Sequence, residues 1–273
     1  MMNFQKKYLW MTPLAIIIAA FHLVPIYITL VVAVSKYGDQ KSYWKLPRQF
    51  QFDNFLQAFN VGDLLLAFRN TFIITIISVF FIIVIGSMAA YPLARNPSKL
   101  NGGILNGFLA IMMIPSLSLL VPLYSFMASI KGISTWWGIV VIHVAFQLPV
   151  CIFLFKNFIT AIPKELDEAA LIDGCSIFKI FYRIILPLMK PVVSTIIILT
   201  GVGIWNDYSN SLYFLQKENM RTLTLAIAGF FSQTASNTNV AAAGAIIVII
   251  PIVILYIFLQ KAFIKGAVDS AIK

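Results

Sequence analysis

The chain has 273 residues, of which 60% are apolar and only 11% are charged. This composition excludes an ordinary soluble globular domain, which needs a largely polar exterior. The net charge of +10 comes from basic residues scattered among the ends of apolar segments. Nucleic-acid binding would need a basic patch interleaved with aromatic residues, so we expect an integral membrane protein whose basic residues meet anionic lipid.

Six apolar segments are each long enough to cross a bilayer as a helix, which needs about 20 apolar residues. They cover residues 10–34, 70–94, 103–128, 137–155, 187–206 and 241–262. A membrane β-barrel would show short alternating segments instead. The first segment is too long for a signal peptide and shows no convincing cleavage site. We therefore expect a single all-α transmembrane domain over residues 1–273.

Lysine and arginine predict the orientation, because short cytoplasmic connections carry an excess of both residues. With six crossings the two termini share one side, and that side carries more of the basic residues than the other. A large part of the basic residues on the other side lies in or beside the long first loop. This distribution predicts that both termini and the polar segment 157–186 are cytoplasmic.

The polar segment between the fourth and fifth apolar segments is predicted to form two short helices. Pro163 suits a first helical position, and acidic residues follow it where the helix dipole favours negative charge, at Glu165, Asp167 and Glu168. Gly174 is the expected end of the first helix. Ser176 can cap a second helix, which runs into the fifth apolar segment at Pro187. The alternative is an amphipathic linker lying on lipid, which the acidic residues disfavour.

This segment resembles the coupling motif of ATP-binding-cassette (ABC) importer permeases, which combines E-A-A, a glycine and a closing I-x-L-P. The matching positions are Glu168-Ala169-Ala170, Gly174, Ile184 and Leu186-Pro187. The resemblance implies the type I permease architecture, with six transmembrane helices and a cytoplasmic coupling helix that docks in a groove on an ATPase subunit. It assigns coupling to Glu165, Asp167, Glu168, Ala169, Ala170, Leu171, Asp173 and Gly174. In this assignment Glu168 pairs with an ATPase residue and Gly174 forms the turn.

Other segments resemble the carbohydrate branch of these permeases, the family of the maltose-type G permease. They are Arg69-Asn70-Thr71, Ala90-Tyr91-Pro92-Leu93-Ala94-Arg95, Met112-Met113-Ile114-Pro115, Pro122-Leu123-Tyr124, residues 162–168, Asp173-Gly174 and Trp205-Asn206-Asp207. The resemblance covers most of the chain, and it is weakest in the loop 35–68 and the end of the last loop. It implies a bacterial or archaeal cytoplasmic membrane, a second, non-identical permease subunit, two ATPase subunits, an extracellular solute-binding protein and a carbohydrate substrate.

Aromatic and polar side chains, which sugar sites require, mark a candidate substrate pathway. The candidates are Trp205, Asn206, Asp207, Tyr208, His143, Gln147, Met113 and Tyr124. Asp207 could face a wet cavity, or it could cap a loop while Trp205 and Tyr208 act as interfacial anchors. His143 and Gln147 could line the pathway, although hydrogen bonding to a neighbouring helix is the slightly favoured alternative. Met113 could equally be a packing residue.

A polar loop precedes the sixth apolar segment and is predicted to lie outside the cell. It could meet the solute-binding protein, or it could be a solvated connection. Its polar residues are Ser232, Gln233, Thr234, Ser236, Asn237, Thr238 and Asn239.

Catalytic and metal-binding patterns are missing from the sequence. It contains no Gly-x-x-x-x-Gly-Lys-[Ser/Thr] phosphate loop, so ATP and Mg²⁺ are expected on a separate ATPase and no cofactor on this chain. Cys151 and Cys175 do not suggest a disulfide, and His22 and His143 stand apart. Within the ABC interpretation the cargo could instead be a polyol or glycerol phosphate. An ion-driven secondary transporter is less favoured, because no internal repeat or buried acidic residue is evident.

Overall fold

The computed structural model describes residues 11–38, 43–61, 63–233 and 237–271, in which helices are joined by turns and loops and no strand is present. In chain order the helices are α1 (Met11–Ala33), α2 (Asp53–Val61), α3 (Leu64–Arg95), α4 (Lys99–Met112), α5 (Leu120–Ser129), α6 (Trp136–Ala161), α7 (Glu165–Ile172), α8 (Ile177–Leu188), α9 (Lys190–Trp205), α10 (Ser209–Phe214), α11 (Leu223–Gln233) and α12 (Thr238–Ala271). Short 3₁₀ turns occupy Ser116–Leu119 and Glu218–Met220.

Four of these helices are long and apolar enough to cross a membrane without interruption: α1, α3, α6 and the part of α12 from Thr238 to Phe258. Two bent helix pairs raise the number of spans among the described residues to as many as six. A helix satisfies its backbone hydrogen bonds internally, which the hydrocarbon core of a bilayer demands. The architecture confirms the predicted all-α membrane protein class.

The two bent pairs have proline at or beside the break. Lys99–Met112 and Ser116–Ser129 meet at 92°, with Pro115 in an extended conformation between them. Ile177–Leu188 and Lys190–Trp205 meet at 73°, and Pro191 occupies the first turn of α9. Each proline removes one helical hydrogen bond, and at these two places it accompanies a sharp bend, so each of these two segments is bent rather than straight.

The chain divides into two compact units. The first comprises Met1–Leu65 with Ala226–Pro251, and the second comprises Leu66–Leu225 with Ile252–Lys273. In the second unit the core gathers around α6 and includes side chains that are fully buried: Ile82, Phe155, Ile159, Ile185, Met189 and Ile196. Lipid is as apolar as leucine, so close packing and polar contacts matter more for joining these helices than removal of apolar surface from water.

In the first unit, two buried asparagines bind the end of α1. Asn54 donates its side-chain amide to the carbonyl oxygens of Ala33 at 2.8 Å and Ser35 at 2.9 Å. Asn239 donates to the carbonyl oxygens of Val32 at 2.9 Å and Ser35 at 2.8 Å. The last carbonyl groups of a helix lack partners within the helix. These amides supply the missing donors and hold the beginnings of α2 and α12 at the end of α1.

Candidate functional site

The helix α7 begins at Glu165, two residues after the predicted first position Pro163, which lies outside the helix, and it ends at the predicted turn. The amides of Asp167 and Glu168 donate to the Lys164 carbonyl oxygen at 2.9 and 3.1 Å. At the other end Gly174 has φ +75°, a conformation that favours glycine. The amides of Gly174 and Cys175 return to Leu171 and Ala170 at 3.0 and 2.9 Å. This pair of bonds is the Schellman motif, and it turns the chain sharply into α8.

The predicted coupling residues divide between an exposed face and a buried face. Asp167 and Ala170 are buried, and the remaining members are exposed. Exposed apolar side chains adjoin the acidic residues, and Ile172 is 87% exposed. They are Leu166, Leu171, Ile172, Ile177, Phe178 and Tyr182. An acidic rim beside clustered apolar side chains is typical of a surface that binds a protein partner. We call the exposed residues Glu165, Leu166, Glu168, Leu171, Ile172, Ile177 and Phe178 the docking face.

Asp167 points into the protein rather than toward a partner. Tyr91 donates its hydroxyl to Asp167 Oδ1 at 2.5 Å, and Arg95 Nη2 forms an ion pair with Asp167 Oδ2 at 2.7 Å. Arg95 Nη1 also donates to the carbonyl oxygens of Ile159 and Ile162, at 3.1 and 2.9 Å. We call Tyr91, Arg95 and Asp167 the anchor cluster. This cluster was not predicted from the sequence, although a tyrosine and an arginine one helical turn apart at the end of an apolar segment were the available signal.

The helix α8 connects the turn at Gly174 to α9. Ser176 Oγ accepts from the Lys179 amide at 3.4 Å, as the predicted cap. Its middle, Phe181–Ile185, is π-helical, a form found often at functional sites. Its middle packs inward: Ile180, Phe181 and Ile185 are buried and Ile184 is half-buried. Ile177 and Leu188, near its two ends, are exposed.

A second group of predicted residues lies at the end of α9. The Trp205 ring is buried and meets the Phe68 ring edge to face, with centroids 5.7 Å apart. Asp207 accepts four hydrogen bonds: from the Asn210 amide at 3.3 Å and side chain at 2.9 Å, and from the Ser211 amide at 2.8 Å and hydroxyl at 3.0 Å. These bonds begin α10, and they favour the capping alternative for Asp207. Asn206 and Tyr208 are exposed beside it.

The remaining pathway candidates are distributed over three elements. His143 is buried in α6, and Gln147, one turn further, lies against Gly203 of α9, where a Cβ would stand 3.4 Å from Gln147 Nε2. The Tyr124 hydroxyl accepts from Gln216 Nε2 at 3.0 Å. Met113 lies at the break after α4 and is 84% exposed. The structure thus brings Gln147 beside α9, whereas Met113 has the exposure of a residue facing lipid or a partner.

The polar loop before α12 is only partly covered by the described residues, because Thr234 and Ser236 lie outside them and Ser232 and Gln233 close α11. Asn239 is buried, and Asn237 Oδ1 accepts from the Val240 amide at 3.3 Å. Thr238 is exposed. Part of this loop is therefore internal structure rather than a surface for an external partner.

Metal-binding clusters of His, Cys, Asp and Glu are absent from the described part of the chain. Within the same residues, Cys151 and Cys175 are both free thiols, the first buried and the second half-buried.

Comparison with known proteins identifies relatives over almost the full length. A family described as "binding-protein-dependent transport system inner membrane component" matches residues 82–268. The melibiose/raffinose/stachyose import permease protein MelC of Bacillus subtilis (strain 168) is 43% identical, over 96% of this chain and 95% of that protein. A probable starch degradation products transport system permease protein, AmyC of Thermoanaerobacterium thermosulfurigenes, is 36% identical over 98% of this chain and 97% of its own length.

Solved structures agree on the fold. A bacterial ABC transporter involved in the import of the acidic polysaccharide alginate has a chain that superposes with a TM-score of 0.78, covering 94% of this chain and 98% of that one, at 23% identity. The chain also resembles the MetNI methionine ABC transporter in inward-facing conformations, with a TM-score of 0.56 over 74% of this chain and 95% of that one, at 20% identity. These likenesses confirm the predicted type I permease fold.

Proposed function

Because the chain belongs to the family of binding-protein-dependent transport system inner membrane components, we propose that it is one permease subunit of an ATP-driven carbohydrate importer. It forms half of the translocation pathway. An ATPase subunit that binds at α7 powers its conformational changes. The observation that carries the proposal is the docking face, where Glu168 and Ile172 are exposed beside a rigid helical turn.

The docking face has the chemistry of a partner-binding surface. Leu171, Ile172 and Phe178 expose apolar surface that costs free energy in water unless another surface covers it. Glu165 and Glu168 add negative charge beside them, which anionic lipid repels and a basic groove attracts. We therefore place an ATPase groove over this face. It supplies an apolar pocket and at least one cation that pairs with Glu168.

The carbohydrate cargo is supported by the names of the relatives. One is an import permease for melibiose, raffinose and stachyose, and another is assigned to starch degradation products. An ion-driven mechanism receives no support from the described spans, because α1, α3, α6 and α9 contain no aspartate or glutamate. Ion-coupled transporters carry ionisable groups at the middle of the membrane. The sugar interpretation is thus favoured over both alternatives from the sequence.

The complete importer needs further subunits. We place a second, non-identical permease beside this chain, two ATPases on the cytoplasmic side and a solute-binding protein outside. An alginate transporter with a similar fold was solved in complex with a pentasaccharide-bound periplasmic protein, which supports the last of these partners. Both termini and the docking face are cytoplasmic in this arrangement. ATP and Mg²⁺ bind to the ATPases, and their different affinities for inward-open and outward-open forms shift the permease between these forms.

The proposal is tested in vesicles that contain the complex purified by a tag on this chain. Uptake of labelled raffinose is measured with and without internal ATP. We expect Glu168→Lys to abolish most ATP-dependent uptake at unchanged membrane insertion, because it reverses the charge that meets the ATPase. Glu218→Lys makes the same charge change at an exposed site outside the docking face and should retain uptake. Raffinose uptake driven by an ion gradient without ATP would falsify the proposal, and normal coupling in Glu168→Lys would remove the role of the docking face.

A further inference from the structure

The last turn of α3 contacts both α7 and α8. Tyr91 and Arg95 hold Asp167 in the first turn of α7. The Tyr91 ring also meets the Phe181 ring of α8, with centroids 5.4 Å apart. The helix α3 lies far from α7 and α8 along the chain, so these contacts are created by the fold and not by chain connection.

The anchor cluster is sheltered from water. Tyr91 and Asp167 are 9% and 8% exposed, and the Arg95 and Asp167 side chains are each 11% exposed. Separating a buried ion pair leaves charges without compensation, which costs far more than separating an exposed pair. The three residues are therefore expected to stay together when the surrounding helices move.

Arg95 extends the cluster to a third element. Its guanidinium bridges the carbonyl oxygens of Ile159 and Ile162, at the end of α6. Carbonyl groups at a helix end lack partners within the helix and carry partial negative charge, so a cation there is favourable. One side chain thus fastens the ends of α3 and α6 to the first turn of α7.

Neighbouring acidic residues on α7 face different environments. Asp167 is buried in the anchor cluster, whereas Glu168 is exposed on the docking face. Successive residues of a helix point about 100° apart, so one short helix presents a partner contact and an internal contact at the same time. A force on the docking face therefore also reaches the anchor cluster, because both are on the same short helix.

We infer that Asp167 is a positioning residue that makes α3 move with the coupling helix. A displacement of α7 then enters the membrane by two routes, along the chain through α8 into α9 and across the anchor cluster into α3. This inference rests on the proposed function, since it needs a partner that moves α7. It gives Asp167 a role different from ATPase contact, which falls to Glu168.

The first test measures whether α3 and α7 move together. Spin labels are placed at Asn96→Cys, just after α3, and Lys164→Cys, just before α7, both exposed positions, in a chain with Cys151→Ala and Cys175→Ala. The distance between labels is recorded by pulsed electron resonance in the complex in vesicles, without nucleotide and with ATP trapped. We expect the same distance in both states with Asp167 present, and a shifted or broadened distribution with ATP in Asp167→Ala.

The second test measures coupling as raffinose transported per ATP hydrolysed. Asp167→Ala should lower this ratio several-fold, because ATP hydrolysis then moves α7 without moving α3, and Asp167→Glu should recover part of it by restoring the carboxylate. Tyr91→Phe, which removes one hydroxyl, should fold and show a smaller loss. Glu218→Ala is the control for an exposed acidic residue. A nucleotide-dependent distance in the parent, a fixed distance in Asp167→Ala, or an unchanged ratio in Asp167→Ala would overturn the inference.

Different results would contradict the proposed function and the role of the anchor cluster. If the parent complex takes up raffinose without ATP, the proposed function is wrong. If uptake depends on ATP but the labels behave independently of Asp167, only the role of the anchor cluster is wrong.

Discussion

Asn70 and Arg221 are joined by a hydrogen bond of 3.0 Å from the Asn70 side-chain amide to the Arg221 carbonyl oxygen. The same amide donates to the carbonyl oxygen of Asn219 at 3.0 Å, and Thr71 Oγ1 accepts from the Leu223 amide at 2.9 Å. Asn70 and Thr71 are both buried. Asn70 and Thr71 therefore fasten the beginning of α3 to the turn before α11. These contacts give a physical reason for the Arg69-Asn70-Thr71 motif, which resembles the carbohydrate branch of the family.

Replacing Asn70 with alanine should lower the free energy of unfolding by about 1–3 kcal/mol, because two part-buried hydrogen bonds, each worth about 0.5–1.5 kcal/mol, are lost. Thermal unfolding of the purified chain in detergent measures the change. Arg69→Ala alters the exposed neighbouring residue and should have little effect. Equal melting temperatures for the two variants would show that the contacts of Asn70 contribute nothing to stability.

Replacing Asp207 distinguishes a structural role of its carboxylate from a role in binding the sugar. If it caps α10, Asp207→Ala should lower the free energy of unfolding by about 0.5–2 kcal/mol and leave the KM for sugar uptake unchanged in the folded fraction. Asn206→Ala, at an exposed neighbouring position, should preserve stability. A large rise in KM at normal thermal stability would instead indicate that the Asp207 carboxylate contacts sugar.

Gly174→Ala should destabilise the turn after α7 by about 1–2 kcal/mol, the cost of a left-handed conformation for a residue with a Cβ. Space is not the limit, since no atom lies within 4 Å of the added Cβ. Gly103 in α4 has the same open surroundings but a helical conformation, so Gly103→Ala should be neutral or stabilising. Thermal unfolding compares the two variants, and a similar change in both would contradict a conformational cause.

Asn239→Ala should remove two hydrogen bonds from the end of α1 and lower the free energy of unfolding by about 1–3 kcal/mol. The neighbouring Thr238 is exposed, so Thr238→Ala should leave the melting temperature unchanged. Binding of the solute-binding protein, measured on the folded fraction, should be the same for Asn239→Ala and the parent chain. Weaker binding with unchanged stability would place Asn239 at the partner interface after all.

The residue pattern determined the features that depend on near neighbours in the chain. Apolar length predicted the spans, because each helix satisfies its own backbone hydrogen bonds in lipid. Acidic residues followed by Gly174 predicted the existence of α7 and the turn that ends it, although the helix starts at Glu165 rather than at Pro163. The helix dipole and the left-handed conformation act within a few residues. The coupling motif then identified the family, and the relatives confirmed it.

Tertiary structure alone decided which polar side chains face inward. Asp167 and Glu168 are adjacent and chemically alike, yet only Asp167 meets Tyr91, which is 76 positions away. The partners of Asn239 lie more than 200 positions away along the chain. Which side chains meet over such distances depends on how the helices pack, and the residues near each position in the sequence do not determine this packing. That is why the candidate site could be located from sequence, whereas its division into docking face and anchor cluster required the fold.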